Sequence, residues 1–252
     1  MGREKASHFF IFCDKFSLRG DLKKMNEILL TLSIPLFYGA VLAAYKFFGK
    51  TGLYAWTVFA TITANLEVLL LVDAFGIEQT LGNILFGSTF LVTDILSEHY
   101  GKKDAQVSVN LGIATSAAFI IMSQIWLLYT PAANDWAAES FHIIFKNTPR
   151  VMLASVLVYA VVQRLDVWLY HKWWDFTKKK FGNAEKYLWL RNNGSTMISQ
   201  LLNTVLYTFG AFGNLYDMGT LIEICISSYA VFFVTALVDT PFVYLSKRIA
   251  KS

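Results

Sequence analysis

Hydrophobic positions along this chain fall in long unbroken runs rather than in narrow stripes. Seven runs, approximately 28–48, 52–72, 80–98, 107–130, 150–171, 195–214 and 221–245, are each close to or above the roughly 20 helical residues that cross a hydrocarbon core of about 30 Å. No segment alternates at the two-residue period of a membrane barrel strand, and no short repeat is visible. The pattern predicts an all-α integral membrane protein, a bundle of six to seven transmembrane helices. The third run, opening TLGNILFGSTF, is the most polar of the set.

Lysine and arginine orient the runs, because short cytoplasmic connections are enriched in both. Lys46 and Lys50 follow the first run, Lys102 and Lys103 the third, six basic residues from Lys172 to Arg191 the fifth, and Lys247, Arg248 and Lys251 the seventh. The alternate connections near 73–79 and 215–220 carry none, and 131–149 carries only Lys146. The chain is expected to cross a membrane several times, with the C-terminus cytoplasmic. The same rule places the N-terminus outside, against the six basic residues of MGREKASHFFIFCDKFSLRGDLKK. Two readings stay open. Either the native chain starts at Met25, so that 1–24 is a non-native polar extension before a single transmembrane domain of 25–252, or a six-span core follows an atypical first helix. The apolar stretch FFIF is too short for a signal peptide.

Composition agrees: 55% of residues are hydrophobic and only 16% charged, where a soluble domain carries about 25% charge. The net charge of +4 resides in connecting segments, so it argues for membrane orientation and not for a nucleic-acid partner. Cys13 and Cys225 stand far apart without metal-ligand spacing, and no disulfide or metal site is expected. FFGKTG ends like a phosphate-binding loop, but the required first glycine is Ala44 and a spanning helix follows. No cofactor motif remains, and uphill movement would draw on an ion gradient or a partner ATPase.

The candidate chemistry lies in polar side chains inside the runs. FLVTDILSEHYG places Asp94 and Glu98 one helical turn apart on one stripe. Gln163, Arg164 and Asp166 in VVQRLDVWLY, Gln200 and Asn203 in STMISQLLNT, and Asp239 in ALVDTPF sit at comparable depth toward the cytoplasmic side. An interhelical network with Arg164 neutralising one acid accounts for any one of these groups. For the set, a binding or transport cavity is the better reading, since buried ionisable groups mark pathways. A second group, Asn65, Glu67, Asn83 and Arg150, lies toward the outside. Asn65 could simply stitch two helices, whereas Glu67 could accept paired N–H donors from a ligand.

Together, TLGNILFGSTFLVTDILSEHYGKK, NTPRVMLASVLVYAVVQRLDVWLY, LWLRNNGSTMISQLLNT and ALVDTPFVYL resemble the VUT family of bacterial queuosine-precursor transporters, especially its Gram-positive branch, from Met25 to Ser252. The resemblance implies an importer of 7-deazaguanine precursors or queuine for tRNA queuosine modification, with a fold similar to ECF-type substrate-binding subunits and a start equivalent to Met25. On that reading Glu67 or the Asp94/Glu98 pair accepts the guanine edge, Asn65, Gln200 and Asn203 are amide partners, and Asp239 supports the site or carries a proton. Asn83, Arg150, Gln163, Arg164 and Asp166 form the supporting polar network. Three positions depart from the family pattern, which often has lysine near Leu70 and near Phe232 and aspartate at Asn203. The alternatives are a substrate-binding subunit for another planar metabolite or vitamin, dependent on an ECF energising module, and a membrane aspartyl protease built on Asp94 and Asp239. The latter lacks a G-x-G-D segment, and an enzyme is not expected.

Overall fold

In a computed structural model the backbone is described for residues 2–146, 149–182 and 185–250, and side chains from Lys23 onward except Glu78 and Glu185 within those segments. The expectations for Cys13 and for most of residues 1–24 fall outside the described side chains. The elements are α1 (Gly2–Glu67), a hairpin of β1 (Leu71–Ala74) and β2 (Ile77–Thr80), α2 (Gly82–His99), α3 (Lys102–Trp126), α4 (Ala138–Lys146), α5 (Pro149–Phe181), a short 3-10 turn (Glu185–Tyr187), α6 (Leu188–Phe212) and α7 (Met218–Ile249). The chain is an all-α membrane protein: among the described residues, Lys23–Glu67, Lys102–Trp126, Pro149–Phe181 and Met218–Ile249 are long and apolar enough to cross a bilayer.

The first two expected spans are the two limbs of α1. They part at Gly49, where φ 58° and ψ −139° interrupt the helix with a conformation only glycine adopts without strain. Just beyond, Lys50 and the Tyr54 hydroxyl both bond Asp104 Oδ1, at 2.9 and 2.6 Å, which fixes the bend against the start of α3.

The hairpin was not expected. Its two four-residue strands pair antiparallel from Leu71–Thr80 to Ala74–Ile77, and the turn residues Phe75 and Gly76 both have positive φ, 54° and 77°, as a two-residue turn matched to strand twist requires. The hairpin is pinned to the first limb of α1: Asn26 Nδ2 donates to Asp73 O at 3.1 Å, Phe75 N donates to Glu27 Oε1 at 2.9 Å, and Lys23 pairs with Asp73 at 3.5 Å. The start of the described α1 side chains therefore lies at the hairpin end of the bundle.

The bundle has its polar groups inside and its oil outside, the arrangement lipid demands. α6 shows this most clearly. Asn192, Ser195, Thr196, Ser199, Gln200, Asn203, Thr204 and Thr208 recur at helical spacing and are all buried, while Ile198, Leu201, Val205 and Phe209 on the other side are exposed. The apolar core is a band formed by Tyr38, Val41, Leu53, Leu91, Ile95, Val109, Tyr159 and Val243 from five helices.

Candidate functional site

The polar stripe of α6 joins two distinct regions. At the hairpin end it enters a cavity of about 270 Å³, bounded by the ends or beginnings of α1, α2, α5, α6 and α7 and by the hairpin. Phe86, Tyr207, Phe212, Tyr216 and Phe232 supply aromatic surface, with Phe86 and Phe232 ring centres 6.3 Å apart. Gln79, Asn83 and Asn203 supply amides. Asn83 Oδ1 accepts from Thr80 Oγ1 at 3.1 Å, whereas the buried Tyr207 hydroxyl has no partner among the described residues. Among the described residues no charged side chain lines this cavity. An apolar hollow with a few polar groups is the usual form of a small-molecule site.

Toward the other end, about 10–16 Å along the same helices by the helical rise, the stripe reaches a buried acidic layer. Asp94 of α2, Asp166 of α5 and Asp239 of α7 are 0–1% exposed. Asn192 Nδ2 donates to Asp239 Oδ1 at 2.6 Å and to Thr240 Oγ1 at 3.0 Å. Neither oxygen of Asp94 or Asp166 has a hydrogen-bond partner among the described residues. Ser195, Thr196 and Ser199 face Asp166 from α6 without closing a bond of ordinary geometry. An ionised carboxylate at such depth costs about 2.5–3.5 kcal/mol on the gentlest insertion scale, so three together, of which only Asp239 has a hydrogen-bond partner, are a standing expense. No three histidine, cysteine or acidic side chains among the described residues converge closely enough to hold a metal ion.

One turn further, Glu98 is fully engaged. Arg191 Nη2 approaches both its oxygens, Lys247 Nζ reaches Oε1 at 2.7 Å, and the Tyr170 hydroxyl donates to Oε2 at 2.7 Å. Arg191 also lies on the Trp174 ring, 4.1 Å from its centroid.

These positions divide the residues singled out from sequence. Asn203 was grouped with the cytoplasmic-side layer; the structure puts it in the cavity with Asn83, because α6 begins at Leu188 and Asn203 lies past its middle. Asp94, Asp166 and Asp239 form the acidic layer and are absent from the cavity wall, with Gln200, its Oε1 unpartnered, on the stripe between. Glu98 is held in its ion-pair network. Arg164 does not neutralise an acid: it is exposed and donates to Asn110 Oδ1 at 3.1 Å. The neutralising cation is Arg191, which the sequence reading placed in a basic connection. Gln163 stitches α5 to α2, its Nε2 donating to Thr89 Oγ1 at 2.7 Å. Asn65 joins α1 to α3, donating to Thr61 O at 2.7 Å and Ser116 Oγ at 3.1 Å. Glu67 ends α1, half-buried and outside the cavity lining, and Arg150 is exposed beside Val151, which does line it. The one signal for Arg191 and Asn192 was the 3–4 spacing of polar residues, which already starts in RNNGST.

A largely apolar hollow with a few amides, enclosed by helices whose outer faces are apolar, suits a membrane transporter, and comparison with known proteins gives that class. Residues 80–246 match the family described as "Putative vitamin uptake transporter", and the chain belongs to this family. It is 39% identical over 208 residues, 82% of this chain and 89% of the other, to a protein of Bacillus subtilis (strain 168) named "Probable queuosine precursor transporter". No solved structure matches the chain.

Proposed function

We propose that this chain imports a queuosine precursor, an uncharged 7-deazaguanine, across a bacterial cell membrane, with its C-terminus in the cytoplasm and with no catalytic step. The observation that carries this reading is the cavity's lining of amides and aromatic rings, with no charge among the described residues, taken with the name of the Bacillus subtilis relative. A deazaguanine presents N1–H and 2-amino donors beside the O6 acceptor. Side-chain amides complement that edge, their carbonyls accepting from the donors and their NH₂ groups donating to O6. Phe86, Tyr207 and Phe232 offer faces for a planar ring system. The acceptor role expected for a carboxylate passes to Asn203, Asn83 and Gln79. The cyano derivative suits the cavity best, because an aminomethyl cation would enter an apolar hollow with no counter-ion among the described residues.

The stripe beyond the cavity favours a carrier that works alone. The test is rescue: a bacterial strain unable to synthesise the precursor expresses this chain and receives dilute cyano-deazaguanine, and queuosine in its tRNA is measured. Restoration without any ATPase subunit supports the reading. Vector-level queuosine despite membrane-inserted protein contradicts it, and restoration only with a co-purifying ATPase module would make the chain a binding subunit instead.

A further inference from the structure

The cavity leaves the acidic layer without a task. Asp94, Asp166 and Asp239 come from three helices and are shut inside the bundle. The polar groups around them are also incomplete: Thr196 and Ser199 hydroxyls face Asp166 with no formed partner, and Asn192 Oδ1 is unpartnered although its Nδ2 holds Asp239. The other titratable groups facing Asp94 are Glu98 on α2 itself, Tyr38 of α1, Tyr170 of α5 and Arg191 of α6. On α3 the titratable groups are confined to the first turn, where Asp104 pairs with Lys50. Arg191 is bound bidentate to Glu98, whose charge it offsets, so the three aspartates are not matched by cations of their own. A metal ion is a poor occupant, because the carboxylates do not converge on one point. The smallest cation needs no such convergence: it neutralises a carboxylate one oxygen at a time.

We propose that Asp94, Asp166 and Asp239 form the site that binds the protons driving this carrier, separate from the substrate cavity and joined to it by the polar stripe of α6. The proposal rests on the importer reading. Protons reach the acids along Asn203, Gln200, Ser199 and Thr196 as substrate loads, and leave past Glu98 and the partly exposed Lys247 after it departs. Each step makes or breaks only a carboxyl O–H bond, with water as the other partner. Protonation removes the repulsion among the three acids and lets α2, α5 and α7 close on one another; a neutral cargo is thereby moved by the proton gradient, with no nucleotide consumed.

The full chain in proteoliposomes, with labelled cyano-deazaguanine outside and a pH-sensitive dye inside, tests this. With an acidic exterior the wild type accumulates substrate and the dye reports internal acidification during uptake. Asp94→Asn and Asp166→Asn lose about ten-fold more of the gradient-driven accumulation than of substrate exchange at equal pH. Wild-type accumulation indifferent to the pH gradient, a silent dye during uptake, or variants that accumulate like wild type would overturn the proposal. A second readout needs no substrate: the infrared band of protonated carboxyl groups in the purified protein at neutral pH, weakened in each asparagine variant that still melts cooperatively. Its absence from the wild type also overturns the proposal. Should that band be present while no deazaguanine is exchanged, the importer reading fails and the proton site stands.

Discussion

Arg191 Nη2 lies 2.7 Å from Glu98 Oε1 and 2.6 Å from Glu98 Oε2, with the arginine wholly closed off from solvent. The pair ties α6 to α2 directly below the acidic layer, and Lys247 and Tyr170 bring α7 and α5 to the same carboxylate. Removing Arg191 strips the Glu98 carboxylate of its fully buried cation and leaves it only the partly exposed Lys247 and the Tyr170 hydroxyl. Arg191→Leu is expected to destabilise the purified protein by about 3–5 kcal/mol, seen as a lower melting temperature in detergent. The double variant Glu98→Leu/Arg191→Leu is expected to recover much of that loss, because both charges are gone. Additive losses would show that the two groups act separately.

On the proposed function, a cavity with no charge among its described lining residues sets selectivity. The cyano-deazaguanine is expected to bind at least about ten-fold more tightly than the aminomethyl form, the equivalent of about 1.4 kcal/mol. Asn203→Asp, which introduces the charge common in the resembling family, is expected to narrow or reverse that preference by pairing with the aminomethyl group. Competition against labelled ligand measures both, and an unchanged ratio in Asn203→Asp would remove Asn203 from the site.

Gly49 bends α1 through a backbone conformation that a side chain strains. Gly49→Ala is expected to lower stability by about 1–3 kcal/mol, measured by thermal melting. An unshifted transition would mean that the bend is made some other way.

Asp217 caps α7, accepting from the Thr220 hydroxyl at 2.5 Å and from Gly219 N at 3.2 Å. The Thr220 hydrogen bond, aided by the backbone N–H donors, holds its carboxyl below the usual aspartate range. A folded-state value below the unfolded one means stability that is present above the unfolded pKa and lost as pH falls through the folded one. Asp217→Ala should therefore lower the melting temperature at neutral pH and make progressively less difference under acid conditions. A difference that persists unchanged in acid would contradict the capping role.

What the sequence made legible follows from what lipid forbids. Spanning helices show as unbroken apolar runs because unpaired backbone and charge are excluded from hydrocarbon, and the two limbs of α1, α3, α5 and α7 were visible for that reason. α6 was placed seven residues late at its start: Arg191 and Asn192 read as a basic connection, although they open the buried stripe that continues through Asn203. That shift also put Asn203 in the wrong layer. The hairpin was hidden because Leu71 and Val72 prolong the preceding apolar run, and a strand of four residues has too few positions to establish a two-residue period. Asp94, Asp166 and Asp239 were visible as intramembrane acids, but their separation from the cavity is a three-dimensional fact. Sequence spacing orders groups along one helix and cannot say which neighbouring helix meets them.

The central claim is that an uncharged cavity of amides and aromatic rings, including Asn203 and Phe86, receives a deazaguanine. Equilibrium binding of labelled cyano-deazaguanine to the purified full chain, competed by queuine, aminomethyl-deazaguanine and guanine, tests it most directly. The account predicts saturable binding that Asn203→Leu weakens by about ten-fold, the loss of roughly one buried hydrogen bond. No saturable binding by the folded protein, or equal binding by Asn203→Leu, would contradict it.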